Sequence, residues 1–198
     1  MALDRAQLTA NLHSFYDFEG KVVLCVGAGS GQLLDKNIRM AETVLIDRDE
    51  QALAKTDTRS LMNDRQGPVR FVVADFKDVQ INGDVVYFEF CLHEMDDPQQ
   101  AIDHARALAP DVVVFDHSPN SDWVFYAAEE KKVSRSAKAL AHFNIKRQRS
   151  VYAEQTFKEH PELVAKLKNE GDLAIKRAAR FAGATNIVIP MPCDLTLL

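Results

Sequence analysis

Short apolar runs alternate with amphipathic stretches along most of the chain. Residues 21–26 (KVVLCV), 43–46 (TVLI), 69–74 (VRFVVA), 84–90 (DVVYFEF) and 111–115 (DVVVF) are rich in Val, Ile and Phe and show little strict alternation. Such runs predict strands buried on both faces, as at the centre of a parallel sheet. Between them, residues 49–65 open on a capping aspartate, Asp49, ahead of Ala52 and Leu53, which predicts a helix. Residues 98–108 carry Ala101, Ile102, Ala105 and Leu108 at helical spacing behind Asp96-Asp97-Pro98, a second helix with proline in its first turn. Strand-helix-strand repetition implies right-handed crossovers in a parallel sheet.

After the fifth run the pattern changes. Residues 116–122 (DHSPNSD) read as a loop. Helical material is expected from about 123 to 143, at 161–167 and at 172–181, the last stopping at Gly183. Residues 184–190 (ATNIVIP) and 194–198 (DLTLL) predict two short strands, paired as an antiparallel hairpin at the sheet edge.

Composition narrows the class only slightly. The 198 residues fit one domain, and 46% hydrophobic with 27% charged residues is enough to build a core. A net charge of −5 argues against a nucleic-acid partner, which calls for a basic excess. Met1 to Arg5 does not read as a signal peptide. No run approaches the roughly 20 apolar residues of a membrane span. Cys25, Cys91 and Cys193 lie far apart and no CxxC occurs, so neither a disulfide framework nor a zinc site is expected, and a cytoplasmic location is.

The most informative segment is VVLCVGAGSGQLL, residues 22–34. A buried strand runs into closely spaced glycines and then a predicted helix. Glycine serves there because the chain turns sharply and a ligand must approach the backbone. Gly27 and Gly29 fill two positions of the dinucleotide fingerprint, but Gln32 stands at the third. No GK[ST] follows, which excludes a phosphate loop. Asp47 ends the second strand, where a carboxylate accepts from ribose hydroxyls. Asp75 ends the third, placed to accept from an adenine amino group, with Phe76 as an apolar flank.

These segments resemble the class I S-adenosylmethionine-dependent methyltransferases. The glycine turn is similar to that family's first motif, Asp47 to its ribose-binding acid and Asp75-Phe76 to its adenine-binding pair. Residues 90–98 (FCLHEMDDP) resemble the fourth-strand motif of its small-molecule branch, which includes quinone-biosynthesis C-methyltransferases. The resemblance covers about residues 16–116 well. It implies a doubly wound α/β fold: a mostly parallel, seven-stranded, Rossmann-like sheet with one antiparallel strand. It implies S-adenosylmethionine as cofactor and S-adenosylhomocysteine as product. The implied cofactor-binding residues are Tyr16, Gly27, Ala28, Gly29, Gly31, Asp47, Arg48, Asp75, Phe76, Phe90 and Leu92. The expected partner is a small-molecule acceptor, under a helical lid or substrate insertion at about 118–170 within a single domain, 1–198. One departure stands out: Cys25 occupies the place of an acidic residue that usually helps hold the methionine end of the cofactor. A non-catalytic binding module and a nicotinamide-dependent oxidoreductase are the alternatives; Gln32 speaks against the second.

His93 and His117 are the candidates for a general base, each beside the rim where strands four and five end. Adjacent residues on a strand face opposite ways, so of Asp116 and His117 only one is expected to face the pocket. The spacing of His93, Glu94 and His117 is not diagnostic of a metal, and none is expected. Lys131, Lys132, Arg135, Lys138, Lys146, Arg147 and Arg149 form a basic stretch, read as a solvated face. Trp123, Phe125 and Tyr126 are read as core.

Overall fold

A computed structural model describes residues 4–29, 33–34, 38–55 and 67–198. In chain order the elements are α1 (Arg5–Phe15), β1 (Val22–Val26), β2 (Glu42–Asp47), α2 (Glu50–Ala54), β3 (Val69–Val73), β4 (Val85–Glu89) and α3 (Pro98–Leu108). They continue with β5 (Asp111–His117), α4 (Asp122–Tyr126), α5 (Glu130–Leu140), β6 (Arg147–Val151), β7 (Glu154–Glu159), α6 (His160–Leu167), α7 (Asp172–Ala178), β8 (Thr185–Pro190) and β9 (Cys193–Leu197). Among the described residues the main sheet has seven strands, in the order β3-β2-β1-β4-β5-β9-β6. Of these, β9 runs against its neighbours, antiparallel to both β5 and β6. This is the doubly wound sheet with one antiparallel strand that the sequence implies.

Strand alternation divides the core into two layers. Val23 and Cys25 of β1, Val85 and Tyr87 of β4, and Val113 and Phe115 of β5 face one cluster, which α1 covers with Leu8, Leu12 and Phe15. Leu24, Val26, Val86, Phe88, Val112 and Val114 face the other, covered by Ile102, Ala105 and Leu108 of α3. Helix α3 begins as expected: Asp97 accepts from the Gln100 N–H at 3.0 Å, with Pro98 in the first turn. Asp49 likewise caps α2; the predicted continuation of that helix lies outside the described residues beyond 55.

Four expectations change. The third strand is not doubly buried: it is the sheet edge, and Val73 is 53% exposed. Residues 116–117 belong to β5 rather than to a loop. The segment 118–170 is not a wholly helical cover, because it contributes β6 to the main sheet and β7 to a second one. The closing strands do not pair with each other. β8 pairs with β7 in a two-stranded sheet, while β9 inserts between β5 and β6. β6 (RQRSV) escapes a hydrophobicity reading because it is a charged edge strand. Among the described residues no helix is long and apolar enough to cross a membrane.

Candidate functional site

The carboxyl ends of β1, β2 and β3 open onto a cavity of about 330 Å³. Gly27, Asp47, Arg48, Asp75 and Phe76 line it, with Cys91, Glu94 and Met95 on the opposite wall. The Gly29 N–H donates to Asp47 Oδ2 at 2.8 Å and the Asp49 N–H donates to Oδ1 at 2.9 Å. Asp47 therefore fixes the glycine turn to the end of β2. Gly29 takes φ +44°, and a Cβ there would meet no atom closer than 3.7 Å, so this glycine serves backbone conformation. Gly27 serves packing as well as its φ of +66°. A Cβ there would collide with the Cys91 side chain, 2.7 Å from its Sγ. Cys91 therefore makes a close approach at Gly27, which also lines the cavity.

Asp75 caps a 3-10 turn, Phe76–Asp78. Its carboxyl is held below the ordinary range by the Lys77 N–H and then by the Lys77 ammonium at 3.2 Å. The Phe76 ring is buried edge-on against Phe88 and His104, forming an apolar wall.

Beside the cavity, where β4 and β5 end, lies a second group of polar side chains. Asp116 is 5% exposed and organises it. Its carboxylate accepts from His93 Nδ1 (2.6 Å), the His93 N–H (3.0 Å) and the His117 N–H (2.8 Å). His93 Nε2 is 3.4 Å from Glu94 and 3.8 Å from Glu129. The His117 ring lies 5.3 Å from that of His93, so Asp116 and His117 both converge on it, contrary to simple strand alternation. Burial alone would lower the His93 pKa, but hydrogen bonds to Asp116 and Glu94 outweigh it and raise the pKa to about 10. That shift favours the protonated ring, whereas the general base expected at His93 calls for the neutral one. Burial lowers His117 to about 4, and its Nδ1 is buried without a hydrogen-bond partner among the described residues. Burial, then the neighbouring Glu94, raises Glu129 to about 7. Lys132 of α5 bridges Glu94 at 2.8 Å and Glu129 at 3.5 Å, and Arg135 donates to the Met95 carbonyl.

Residues 24–115 match the family model described as a methyltransferase domain. Among solved structures, the chain is similar to a candidate methyltransferase from Bacillus halodurans, at 15% identity and TM-score 0.65 over 96% of both chains. It is also similar to the magnesium protoporphyrin IX methyltransferase of Synechocystis with bound S-adenosylhomocysteine, at 14% identity and TM-score 0.57 over 97% of this chain and 80% of that one. A candidate RNA methyltransferase from Pyrococcus horikoshii matches at 14% identity and TM-score 0.57, over 98% and 81%. No curated protein matches the chain. The chain has the fold of the class I S-adenosylmethionine-dependent methyltransferases, and its residues 24–115 carry the methyltransferase-domain match.

Several of the site residues implied by the resemblance stand elsewhere in this fold. Tyr16 is at the opposite, amino edge of the sheet, donating its hydroxyl to Asp111 at the start of β5 (2.8 Å). That bond and burial leave it no path to the cavity. Leu92 is fully buried in the α3-side core. Full burial of a leucine is worth about 2 kcal/mol, so its side chain serves packing. Ala28 is also core, and its N–H donates to the Ile46 carbonyl at 3.1 Å. Phe90, at φ +49°, packs on Phe115 and His117 rather than lining the cavity. Gly31 lies outside the described residues.

Sequence reasoning gave no site role to Glu89 or Glu129, and it named Asp116 only with His117, as a pair of which one was expected to face the pocket. Glu89 lies two residues after Tyr87 on β4, the strand beside β1, and accepts from the Leu33 N–H at 2.8 Å. It shares the face of Cys25, whose thiol is pushed up by burial and then by the Glu89 charge. The one available signal was an acid within the apolar run VVYFEF.

Proposed function

We propose that this methyltransferase acts on a small-molecule acceptor, with S-adenosylmethionine held in the cavity at the ends of β1 to β3. One observation carries the reading: the glycine turn, Asp47 and Asp75 reach the same opening from three consecutive strand ends. The residues fit an adenosyl group. Each Asp47 oxygen accepts one N–H and keeps a lone pair for a ribose hydroxyl. Asp75 is exposed at the rim, and Phe76 and Ile46 offer an apolar wall for a base. When bound, the cofactor supplies an electrophilic methyl group on a sulfonium. The protein need then only align an acceptor atom with that carbon and exclude water.

Glu89 is our candidate for the acid missing at Cys25. It sits on the adjacent strand, faces the same layer and holds the chain just past the glycine turn. Burial raises its pKa to about 7, with the Leu33 N–H opposing, so a neighbouring ammonium group would draw it into the ionised form.

The basic stretch supports a small acceptor over a nucleic acid, because several of its cations are already paired. Lys132 bridges Glu94 and Glu129, Lys146 bonds Asp111, and Arg149 bonds Ser14. Arg147 bonds the Phe15 carbonyl and lies over the Phe15 ring at 4.5 Å. Paired cations release few counterions on meeting phosphate.

Thermal-shift assays test the cofactor. S-adenosylmethionine and S-adenosylhomocysteine should raise Tm and NAD should not. Asp47→Asn, which retains one accepting oxygen for the turn, should abolish the shift. An unchanged shift removes Asp47 from the site. Transfer of labelled methyl groups into total RNA, with none into a small-molecule panel, would overturn the acceptor class.

A further inference from the structure

We infer that His93, His117 and Glu129 form a binding site for a divalent transition-metal ion, beside the cofactor cavity. One donor atom from each of the three lies within 4.8 Å of the other two. Two imidazoles and one carboxylate form a ligand set suited to zinc, manganese, iron or cobalt, with positions left open. Ligands around such an ion stand roughly 3–4 Å apart at bond lengths of about 2.1 Å, so side-chain rotation of modest size completes the site.

Two features separate this cluster from a chance meeting of polar groups. The first is the outer partner. Asp116 receives the His93 Nδ1 proton at 2.6 Å, which fixes the ring and leaves Nε2 facing Glu94 and Glu129. A carboxylate behind a histidine is the usual support of a metal-bound imidazole. The second is the buried His117 Nδ1, which has no hydrogen-bond partner among the described residues. A buried nitrogen left unpaired is costly, and a ligand relieves that cost.

The position suggests the use. His93 follows β4 and His117 ends β5, and Glu94, 3.4 Å from His93 Nε2, also lines the cavity. An ion here stands at the acceptor side of that cavity. An open coordination position would take a hydroxyl or carboxylate oxygen of the acceptor and lower the pKa of a bound hydroxyl, removing the need for a protein base. That use rests on the methyl-transfer reading; the binding of the ion does not.

The test is metal binding by the full, untagged chain after chelator treatment. Cobalt(II) should bind one to one, with visible absorption bands of a site containing nitrogen ligands. Zinc(II) should displace it and raise Tm. His117→Asn and Glu129→Gln should each weaken cobalt binding at least tenfold, while Tm without metal confirms that each variant is folded. His142→Asn, on the surface after α5, should leave binding unchanged. Absence of stoichiometric cobalt binding, or binding unaltered in both folded variants, overturns the site. Metal binding without a shift by S-adenosylmethionine would keep the site and reject the cofactor reading instead.

Discussion

The cavity at the ends of β1 to β3 and the histidine cluster share one sheet edge and one residue, Glu94, yet they are built in opposite ways. The pocket uses backbone turns and carboxylates at the rim, where water still solvates them. An exposed group such as Asp75 can be removed with little strain. The cluster uses buried groups, His93 at 3% and Asp116 at 5% exposure, hydrogen-bonded to each other at 2.6 Å. Removing one member leaves the others unpaired in a poor solvent. A rim site can therefore vary with its ligand, whereas a buried site behaves as one unit.

The largest expected effect follows from that difference. Asp116→Ala should destabilise the fold by about 3–5 kcal/mol, as for other broken buried ion pairs, measured by urea unfolding. A loss below about 1 kcal/mol would show that the cluster is far better solvated than its geometry implies.

Gly27→Ala comes next. It combines a left-handed φ with a collision against Cys91, and should cost about 2–3 kcal/mol. Cys91→Gly on that background should recover part of the loss, because the collision goes and the φ strain stays. No recovery would assign the whole effect to backbone conformation.

Glu89 gives an intermediate effect with a pH signature. Its folded pKa, about 7, lies above the ordinary value of 4.5 because burial disfavours the charge. The folded state then binds the extra proton, so this group lowers stability as pH rises from about 4.5 through 7. Glu89→Gln keeps an acceptor for the Leu33 N–H and should flatten that slope in Tm measured between pH 5 and 8. The same slope in both proteins would place the titration elsewhere.

The smallest effect on stability belongs to the pocket rim. Asp75→Asn should change unfolding free energy by less than about 0.5 kcal/mol, as for an exposed pair. Its effect on S-adenosylmethionine affinity should be larger, near tenfold. A large stability loss with unchanged affinity would reverse the comparison at this position.

Much of the architecture was legible because its signals are local. Five apolar runs became β1 to β5, the third as an exposed edge, and Asp97-Pro98 started α3 where the capping rule put it. Asp47 and Asp75 could be placed because one is the last residue of β2 and the other stands two residues past β3. Tyr16 failed because chain proximity to the glycine turn says nothing about which sheet edge a side chain meets. Leu92 and Phe90 failed because a motif does not reveal which of its side chains are spent on the core.

The sequence by itself determined the alternating α/β order, the turn after β1 and the two acids at successive strand ends. Each depends on residues within a few positions of one another, where dihedral preference and periodicity act. Only the tertiary structure decided that β9 enters between β5 and β6, and that Asp116 and Glu129 meet His93. Those contacts join residues from β5, the turn after β4 and the turn before α5. The protonation of His93 is set by that low-dielectric meeting and not by its own neighbours in the chain.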